Sequence, residues 1–352
     1  MKVAIYKLTF PHGVHVGAYG IGTEGVRLTI PADTLFSALL SAWVSLGRDP
    51  DDWVSHFPRK PHDGELQDAD PPFLLTSAFP YRGDVILFPK PQDPEKGPHR
   101  EELHKTWKRV SFVSEKILRE LVSGGDMSDL LRDEENLAQS KAVLLHPDDD
   151  IKAENGRFWT EHKIPRVTLD RVSSASNLFH VERMDFAKGA GLWFGVIWRD
   201  PDRPCGNLAF EEAFDIALNA LSHSGIGGDR TVGYGTFERD KKEGTWPDPE
   251  PGKSALLLSR YNPSPDELPD VLRKAKGYAL EEVRGWTSSP HGQFRRRSIV
   301  MLKEGSVLVP EREIHGHVVD IGPIHIETKE ALLPHPVWRY GLAALWSLGG
   351  AG

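Results

Sequence analysis

The sequence is poor in cysteine and has no long apolar run. Cys205 is the single cysteine among 352 residues, which excludes an internal disulfide and any cysteine-rich zinc module. No stretch stays apolar over the roughly 20 residues that a membrane-spanning helix needs, and none has the layout of a signal peptide. We therefore expect a soluble, cytoplasmic protein that has no membrane partner.

The chain also lacks the basic excess that is usual in free-standing nucleic-acid-binding proteins. Its 43 lysines and arginines are outnumbered by 51 acidic residues, so the formal net charge is −8. Basic residues nevertheless gather in 163–183 and 295–297. A phosphate interacts mainly with charges within a Debye length of about 8–10 Å. A local basic site for nucleic acid is therefore compatible with the negative net charge.

Glycine is concentrated between residues 224 and 238, where five glycines fall within eleven residues. Before them, residues 210–221 repeat apolar side chains at the 3.6-residue spacing of an amphipathic helix. Gly225 fits the left-handed position that ends such a helix, and residues 234–238 are typical of a short strand. The predicted order is therefore helix, glycine loop and strand.

That order distinguishes this loop from the common nucleotide sites. In a P-loop or a dinucleotide fingerprint the glycines follow a strand and open a helix, whereas here they close a helix. The Walker lysine is also missing, since Gly233 is followed by Tyr234. We therefore expect no small-molecule cofactor. Clustered glycines still allow a backbone to approach a ligand and to aim N–H groups at an anion; the alternative is a helix cap joined to a tight turn.

The order of the elements predicted up to residue 244 is close to the βαββαβ order of a ferredoxin-like domain that carries an insertion. They are a strand, a helix, two strands, a further strand, the helix before the glycine loop and the strand after it, at 2–10, 30–43, 73–79, 84–88, 191–198, 210–221 and 234–238. Asp33 is the expected N-cap of the first helix, and Gly47 its end. A large insertion at about 90–188 contains a helix at 114–122 and ends in a hairpin with arms 164–171 and 178–186 and a tip at 172–177.

A proline-rich linker at 245–252 precedes a second module. The expected elements of that module are a strand, a helix and three strands, at 255–261, 266–276, 278–286, 298–302 and 306–310. The predicted fold class is therefore α+β, with two ferredoxin-like (RRM-like) domains in tandem at 1–244 and 253–352. The first domain carries the insertion and the glycine-rich loop.

Two such modules with a glycine-rich loop resemble the RAMP superfamily of CRISPR proteins. Residues 31–39 resemble the "SDTLFSAL" helix of the Csm subunit that caps the 5′ end of the guide RNA, although Pro31-Ala32 stands where that family usually has a polar residue. Residues 166–179 resemble its "R…L-D-R…S…L-F" hairpin, and residues 285–306, including Ser288, Ser289 and Pro290, its "G-W…S…R-R…E-G-S" pattern. The resemblance covers residues 2 to about 340.

The resemblance implies a non-catalytic subunit of the type III-A CRISPR (Csm) effector complex, which acts in antiviral defence. Such a subunit binds the 5′ handle of the crRNA and links the large polymerase-like subunit to the backbone subunits. No metal site is expected. Glycine N–H groups and an arginine would meet phosphates, while aromatic and amide side chains would meet unstacked bases. The residues expected to bind RNA are Gly225, Gly227, Gly228, Asp229, Arg230, Thr231, Gly233, Tyr234, Arg166, Arg171, Asn177, Phe179, His15, Thr34 and Ser37.

The sharpest alternative is a guide-RNA-processing endoribonuclease of the same superfamily, which would need an acid and a base near a 2′-hydroxyl. The candidate histidines are His12, His15, His180 and His223. An H-x-H pair, His315 and His317, is weak as a metal site without a third ligand. A nucleotide-binding protein and a scaffold without RNA are further alternatives. The hairpin could also be a solvated surface feature with Phe179 in the core, and Arg295–Arg297 could face RNA or an acidic subunit.

Overall fold

The computed structural model describes residues 1–17, 25–151, 156–172, 176–287 and 292–349. Its helices are α1 (Ala32–Ser45), α2 (Asp51–Val54), α3 (His104–Arg109), α4 (Glu115–Val122), α5 (Ser128–Arg132), α6 (Phe210–Ser224) and α7 (Leu268–Lys274). Its strands are β1 (Lys2–Thr9), β2 (Arg59–Lys60), β3 (Phe73–Leu75), β4 (Phe79–Arg82), β5 (Val85–Pro89), β6 (Phe112–Ser114), β7 (Leu137–Ala138), β8 (Val143–Leu144), β9 (Trp159–Leu169), β10 (Ser176–Phe186), β11 (Ala190–Trp198), β12 (Pro204–Cys205), β13 (Leu208–Ala209), β14 (Glu238–Thr245), β15 (Ala255–Leu257), β16 (Leu280–Val283), β17 (Ile299–Leu302), β18 (Val307–Leu308), β19 (Val318–Asp320), β20 (Trp338–Arg339) and β21 (Leu345–Ser347). The predicted α+β class is confirmed.

The largest sheet has the strand order β14-β1-β11-β4-β5-β6-β8-β7, with β3 also paired to β11. Strand β1 is antiparallel to both of its neighbours, and its side chains alternate between the two faces of the sheet. Tyr6 and Leu8 on one face are fully buried in a core with Phe36 of α1 and Phe214 of α6. Helices α1 and α6 therefore cover the same face of this sheet.

Helix α6 and its end match the prediction. Its buried side chains are Phe210, Ala213, Phe214, Ala217, Leu218, Leu221 and Ser222, the expected stripe at helical spacing. Gly225 follows at φ +78°, a backbone conformation that a residue with a Cβ rarely adopts. The chain can therefore leave the helix abruptly at this glycine and enter the loop.

The strand predicted at 234–238 is wrong, because β14 begins only at Glu238. Residues Arg230–Val232 form a single 3-10 turn, and Gly233 and Gly235 have φ values of +93° and +77°. Extended backbone requires negative φ. The glycines therefore keep this segment coiled until the strand can pair with β1.

The hairpin predicted within the insertion is confirmed. Strands β9 and β10 pair in antiparallel register over eleven residues each, from Leu169–Ser176 to Trp159–Phe186, and form a sheet of their own. A bridge between Val14 and Met184 joins the base of the hairpin to the chain after β1. Residues 173–175 of the predicted tip lie outside the described residues.

The part after residue 245 forms two smaller sheets of its own, β18-β15-β21 and β16-β17, and its strands β19 and β20 form a third with β2 from the first part of the chain; α7 lies between β15 and β16 in the sequence. Its strands and helix are shorter than predicted. The tandem ferredoxin-like arrangement and the domain boundaries stay predictions. Ser288, Ser289 and Pro290 of the resembling pattern lie outside the described residues. No helix in the described ranges is long and apolar enough to span a bilayer.

Asp33 is not the N-cap of α1, contrary to the prediction. The helix begins at Ala32 after Pro31, whose φ of −61° and ψ of 147° place it at the cap position without a side-chain hydrogen bond. The amide of Ala32 donates instead to Ser77 Oγ at 2.8 Å. Asp33 is fully buried inside the first turn, where it meets two arginines from the C-terminal part of the chain.

Candidate nucleic-acid interface

The base of the glycine loop packs against the chain around His15. The Gly228 amide donates to the His15 carbonyl at 2.8 Å, and the Gly235 amide donates to the Gly13 carbonyl at 2.9 Å. A Cβ on Gly227 would lie 2.2 Å from the His15 carbonyl oxygen, closer than any side chain permits. At these positions glycine is therefore required by the chain's own packing.

Three of the glycine amides that were expected to reach phosphates are used within the protein. The amides of Gly225, Gly228 and Gly233 donate to the carbonyls of Leu221, His15 and Arg230 at 2.8, 2.8 and 3.0 Å. That expectation is wrong for these three groups, because the turns that close the loop consume their hydrogens. The loop tip instead presents side chains, with Arg230 and Thr231 both exposed.

The hairpin and the loop meet at Tyr234. The guanidinium groups of Arg166 and Arg183 lie 5.5 and 5.1 Å from the centre of its ring, within cation–π distance. Arg166 also pairs with Asp229 at 3.1 Å. The structure thus brings together three of the residues predicted to bind RNA, namely Arg166, Asp229 and Tyr234. Arg183 was missed as a site residue, and its signal in the sequence was the basic run at 163–183.

The hairpin has two unlike faces beyond its base. The register pairs Phe179 with Arg166 and Leu178 with Val167, so the two pairs lie on opposite faces. The Arg166 face is the one tied to the glycine loop through Asp229. Phe179 is half-buried and lies outside the hydrophobic core, so the reading that placed it in the core is wrong. Leu178 on the other face is 60% exposed.

An open groove of about 890 Å³ lies between α1, the glycine loop and β16. Six of the residues predicted to bind RNA line it: Thr34, Ser37, Gly225, Gly227, Gly228 and Arg230. Ser41 and Ser45 extend the row of hydroxyl groups along α1. The spacing 34, 37, 41 and 45 is helical, so the sequence contained a signal for this polar stripe, although only Thr34 and Ser37 were predicted to bind RNA.

The groove is strongly basic although the chain is acidic overall. Its lining includes six arginines and two glutamates: Arg27, Arg230, Arg260, Arg284, Arg296, Arg339, Glu281 and Glu282. Most of these arginines come from the part of the chain after residue 252, and sequence reasoning did not place them beside α1. A local positive field of this kind attracts a polyanion whatever the net charge.

The three consecutive arginines at 295–297 have three different environments. Arg296 lines the groove. Arg295 is exposed, with its guanidinium 5.8 Å from the centre of the Trp286 ring. Arg297 donates to the backbone carbonyls of Gly322 and Asp320 and so holds a loop of the chain itself. Of the three, Arg296 is placed for a ligand in the groove.

The remaining predicted residues lie outside the groove lining. Arg171 and Asn177 are exposed on the distal hairpin, while His15 is buried with its Nδ1 2.6 Å from the Glu182 carbonyl. Burial lowers the pKa of His317 to about 4, helped by Lys60, and its Nε2 lies 3.0 Å from Asn262 Nδ2. Across the part of the chain that the structure describes, no three His, Cys, Asp or Glu side chains are placed to hold a metal ion.

Comparison with known proteins gives concordant matches over the whole chain. Residues 250–348 match the family model described as "CRISPR Csm4 C-terminal domain". A relative from Thermococcus onnurineus, "CRISPR system Cms protein Csm4", is 26% identical over 277 residues, 76% of this chain and 77% of that one. The protein of the same description from Streptococcus thermophilus is 22% identical over 360 residues and 99% of both chains.

Two solved structures share the fold. One is a crystal structure of a Csm3-Csm4 subcomplex in the type III-A CRISPR-Cas interference complex, with a TM-score of 0.62, 16% identity and coverage of 98% of this chain and 99% of that chain. The other is a Csm1-Csm4 cassette in complex with cA4, with a TM-score of 0.53, 18% identity and full coverage of both chains. At such identities the likeness concerns the fold.

Proposed function

The chain belongs to the Csm4 family of CRISPR proteins, and we propose that it is a non-catalytic subunit of a type III-A effector complex that binds the 5′ handle of the crRNA. The observation that carries this proposal is the groove between α1, the glycine loop and β16. It combines a row of hydroxyl groups with six arginines. Single-stranded RNA is bound by such grooves, in which cations follow the phosphates.

The groove suits an RNA backbone more than a small metabolite. Its lining contains six guanidinium groups, whose N–H donors match phosphate oxygens, and hydroxyl groups that can accept a hydrogen bond from a ribose, beside the carboxylates of Glu281 and Glu282. The arginine–tyrosine cluster of Arg166, Arg183 and Tyr234 lies where the glycine loop meets the hairpin. A strand that leaves the groove past Arg230 would meet this cluster next, and then the Phe179 face of the hairpin.

The fold supports this assignment for the first part of the chain. The strand order β14-β1-β11-β4, with α1 and α6 on one face, is the order expected of a ferredoxin-like domain. We assign residues 1–244 to such a RAMP domain with its insertion at about 90–188. We assign residues 253–352 to a second ferredoxin-like domain after a linker.

The partners follow from the relatives. Solved Csm4 chains were crystallised with Csm3 and with Csm1. We propose that this chain likewise links the large polymerase-like subunit to the backbone subunits, in the cytoplasm. The alternative, an endoribonuclease that processes CRISPR RNA, would need an acid–base pair. His15, one of its candidates, is buried with its ring against Gly228.

Arg230 provides the direct test of RNA binding. Arg230→Ala should weaken binding of handle RNA by on the order of 1 kcal/mol or somewhat more, and lower the slope of log affinity against log salt by about 0.7. The matched control is Arg273→Ala on α7, an exposed arginine outside the groove lining, which should change neither quantity. Titration of labelled handle RNA at several salt concentrations measures both. A complex that copurifies without RNA and does not bind it would refute the proposal.

A further inference from the structure

A buried ionic cluster forms the floor of the groove and joins α1 to the C-terminal part of the chain. Asp33 lies 3.4 Å from Arg260 and 3.4 Å from Arg339. Arg260 is also 2.7 Å from Glu281 and 4.0 Å from Glu304. The side chains of Arg260 and Arg339 are only 4% and 5% exposed, yet both line the groove.

The cluster has more positive than negative groups. Glu281 is shared by Arg27, Arg260 and Lys303, and Asp33 is shared by Arg260 and Arg339. Arg296 lines the same groove and donates to the Arg284 carbonyl at 3.3 Å. Within the described ranges, no carboxylate lies at ion-pair distance from Arg296. The cluster thus contains five cations and three carboxylates. The cations are Arg27, Arg260, Arg296, Arg339 and Lys303, and the carboxylates are Asp33, Glu281 and Glu304.

Several donors of this cluster have no acceptor in the chain. The Nε atoms of Arg260, Arg296 and Arg339 are buried and make no hydrogen bond among the described residues. Oxygens of Asp33 and Glu281 are likewise without a hydrogen bond, but each has cations within 4 Å. A buried donor that makes no hydrogen bond is costly, and native proteins usually supply it with an acceptor. Three guanidinium groups at one groove thus keep hydrogen-bonding capacity that the described part of the chain does not use.

We propose that the floor of the groove is a subsite for one phosphodiester of the bound RNA, with Arg296 as its direct ligand and Arg260 and Arg339 beneath it. This inference rests on the proposed function and specifies where the RNA backbone is held. A guanidinium offers paired N–H donors that match phosphate oxygens, and its binding carries no sequence preference. Asp33 and Glu304 are positioning residues: Asp33 pairs with Arg260 and Arg339, and Glu304 lies 4.0 Å from Arg260.

The state of Arg296 agrees with this role. Burial and the nearby Arg339 guanidinium lower the pKa of Arg296 to about 9. The side chain is therefore a cation at neutral pH, although its burial and the positive charge of Arg339 disfavour the charged form. An anion bound beside it removes that repulsion. The subsite should therefore bind a phosphodiester more strongly than an exposed arginine does.

The first experiment needs no variant. Handle RNAs are prepared with one uncharged methylphosphonate linkage each, moved along the handle, and bound to the wild-type complex. One position is expected to lose at least about tenfold in affinity, because a charge-assisted hydrogen-bonded pair is removed there. A profile in which every position loses the same small amount would overturn the subsite, while leaving RNA binding by the groove intact.

The second experiment assigns that position to Arg296. Arg296→Gln should weaken binding of unmodified handle RNA by at least about tenfold, and the sensitive linkage should become insensitive in this variant. Arg296→Lys should retain much of the affinity, because the charge remains. Arg295→Gln, a change at the neighbouring exposed arginine outside the groove lining, should behave as wild type.

The outcomes separate the two proposals. If Arg296→Gln keeps the wild-type affinity and the wild-type linkage profile, the subsite is refuted and the proposed function stands. If the wild-type complex does not bind handle RNA, the proposed function fails and the subsite fails with it.

Discussion

The carbonyl oxygen of His15 accepts a 2.8 Å hydrogen bond from the amide of Gly228. This bond ties the base of the glycine loop to the chain that follows β1. The ring of His15 lies against Gly228 on the same side, and its Nδ1 lies 2.6 Å from the Glu182 carbonyl at the base of the hairpin. His15 therefore connects the loop to the hairpin, and the two can present one continuous surface to a ligand.

Gly227 and Gly233 form a matched pair for testing this packing. Both have positive φ, +94° and +93°, but a Cβ on Gly227 would meet the His15 carbonyl at 2.2 Å, whereas Gly233 has open space around it. Gly233→Ala should cost about 1 kcal/mol of unfolding free energy for backbone strain alone. Gly227→Ala should cost roughly 1–3 kcal/mol more, because the loop must move. Denaturant unfolding of both variants measures the difference, and equal losses would show that the His15 contact is not a constraint.

Phe179 and its neighbour Leu178 test which face of the hairpin meets RNA. Phe179→Ala should weaken handle binding by about 1–3 kcal/mol if a base stacks on its ring. Leu178→Ala changes a more exposed side chain on the opposite face and should leave RNA affinity unchanged. Fluorescence titration of the assembled complex gives both values. An effect of Leu178→Ala alone would assign RNA contact to the apolar face instead.

The chain by itself should not cleave RNA. Labelled repeat RNA incubated with the purified protein, with and without a divalent metal ion, is expected to stay intact. His15→Gln should not change this result, because the buried ring packs between the loop and the hairpin base. Cleavage by the wild type that disappears in His15→Gln or His180→Gln would favour the processing endoribonuclease.

His317 should make the fold sensitive to acid. Its pKa is lowered to about 4 in the folded chain, whereas the ordinary value is 6.5. Between these values the unfolded chain binds the proton and the folded chain does not. The free energy of unfolding should therefore fall as the pH is lowered through this window, by on the order of 3 kcal/mol in total.

Melting temperatures between pH 7 and pH 4 test this dependence. His317→Gln should flatten the fall in melting temperature over that range, whatever its effect at pH 7. The control His12→Gln, at an exposed histidine, should keep the wild-type slope. An unchanged slope in His317→Gln would mean that other groups cause the acid sensitivity.

The sequence alone determined the features that depend on neighbouring residues. The apolar spacing before Gly225 predicted α6 and its end, and the pattern of residues 164–186 predicted the β9–β10 hairpin. Both predictions are confirmed, because helix periodicity, strand pairing across a short connection and a glycine at positive φ are local properties. The glycine cluster predicted a loop after α6, and that loop lines the groove, although the amides of Gly225, Gly228 and Gly233 donate to carbonyls of the chain itself.

Only the tertiary structure decided what Asp33 contacts and which segments of the chain form the groove. The carboxylate of Asp33 forms ion pairs with Arg260 and Arg339, which are 227 and 306 residues away, so the local pattern favoured an N-cap. The groove combines hydroxyl groups of α1, the glycine loop and arginines from beyond residue 252. No periodicity or motif encodes such a meeting, because it results from packing between segments that are distant in the chain. The basic character of the site was hidden for the same reason, since a net charge of −8 averages over surfaces that folding separates.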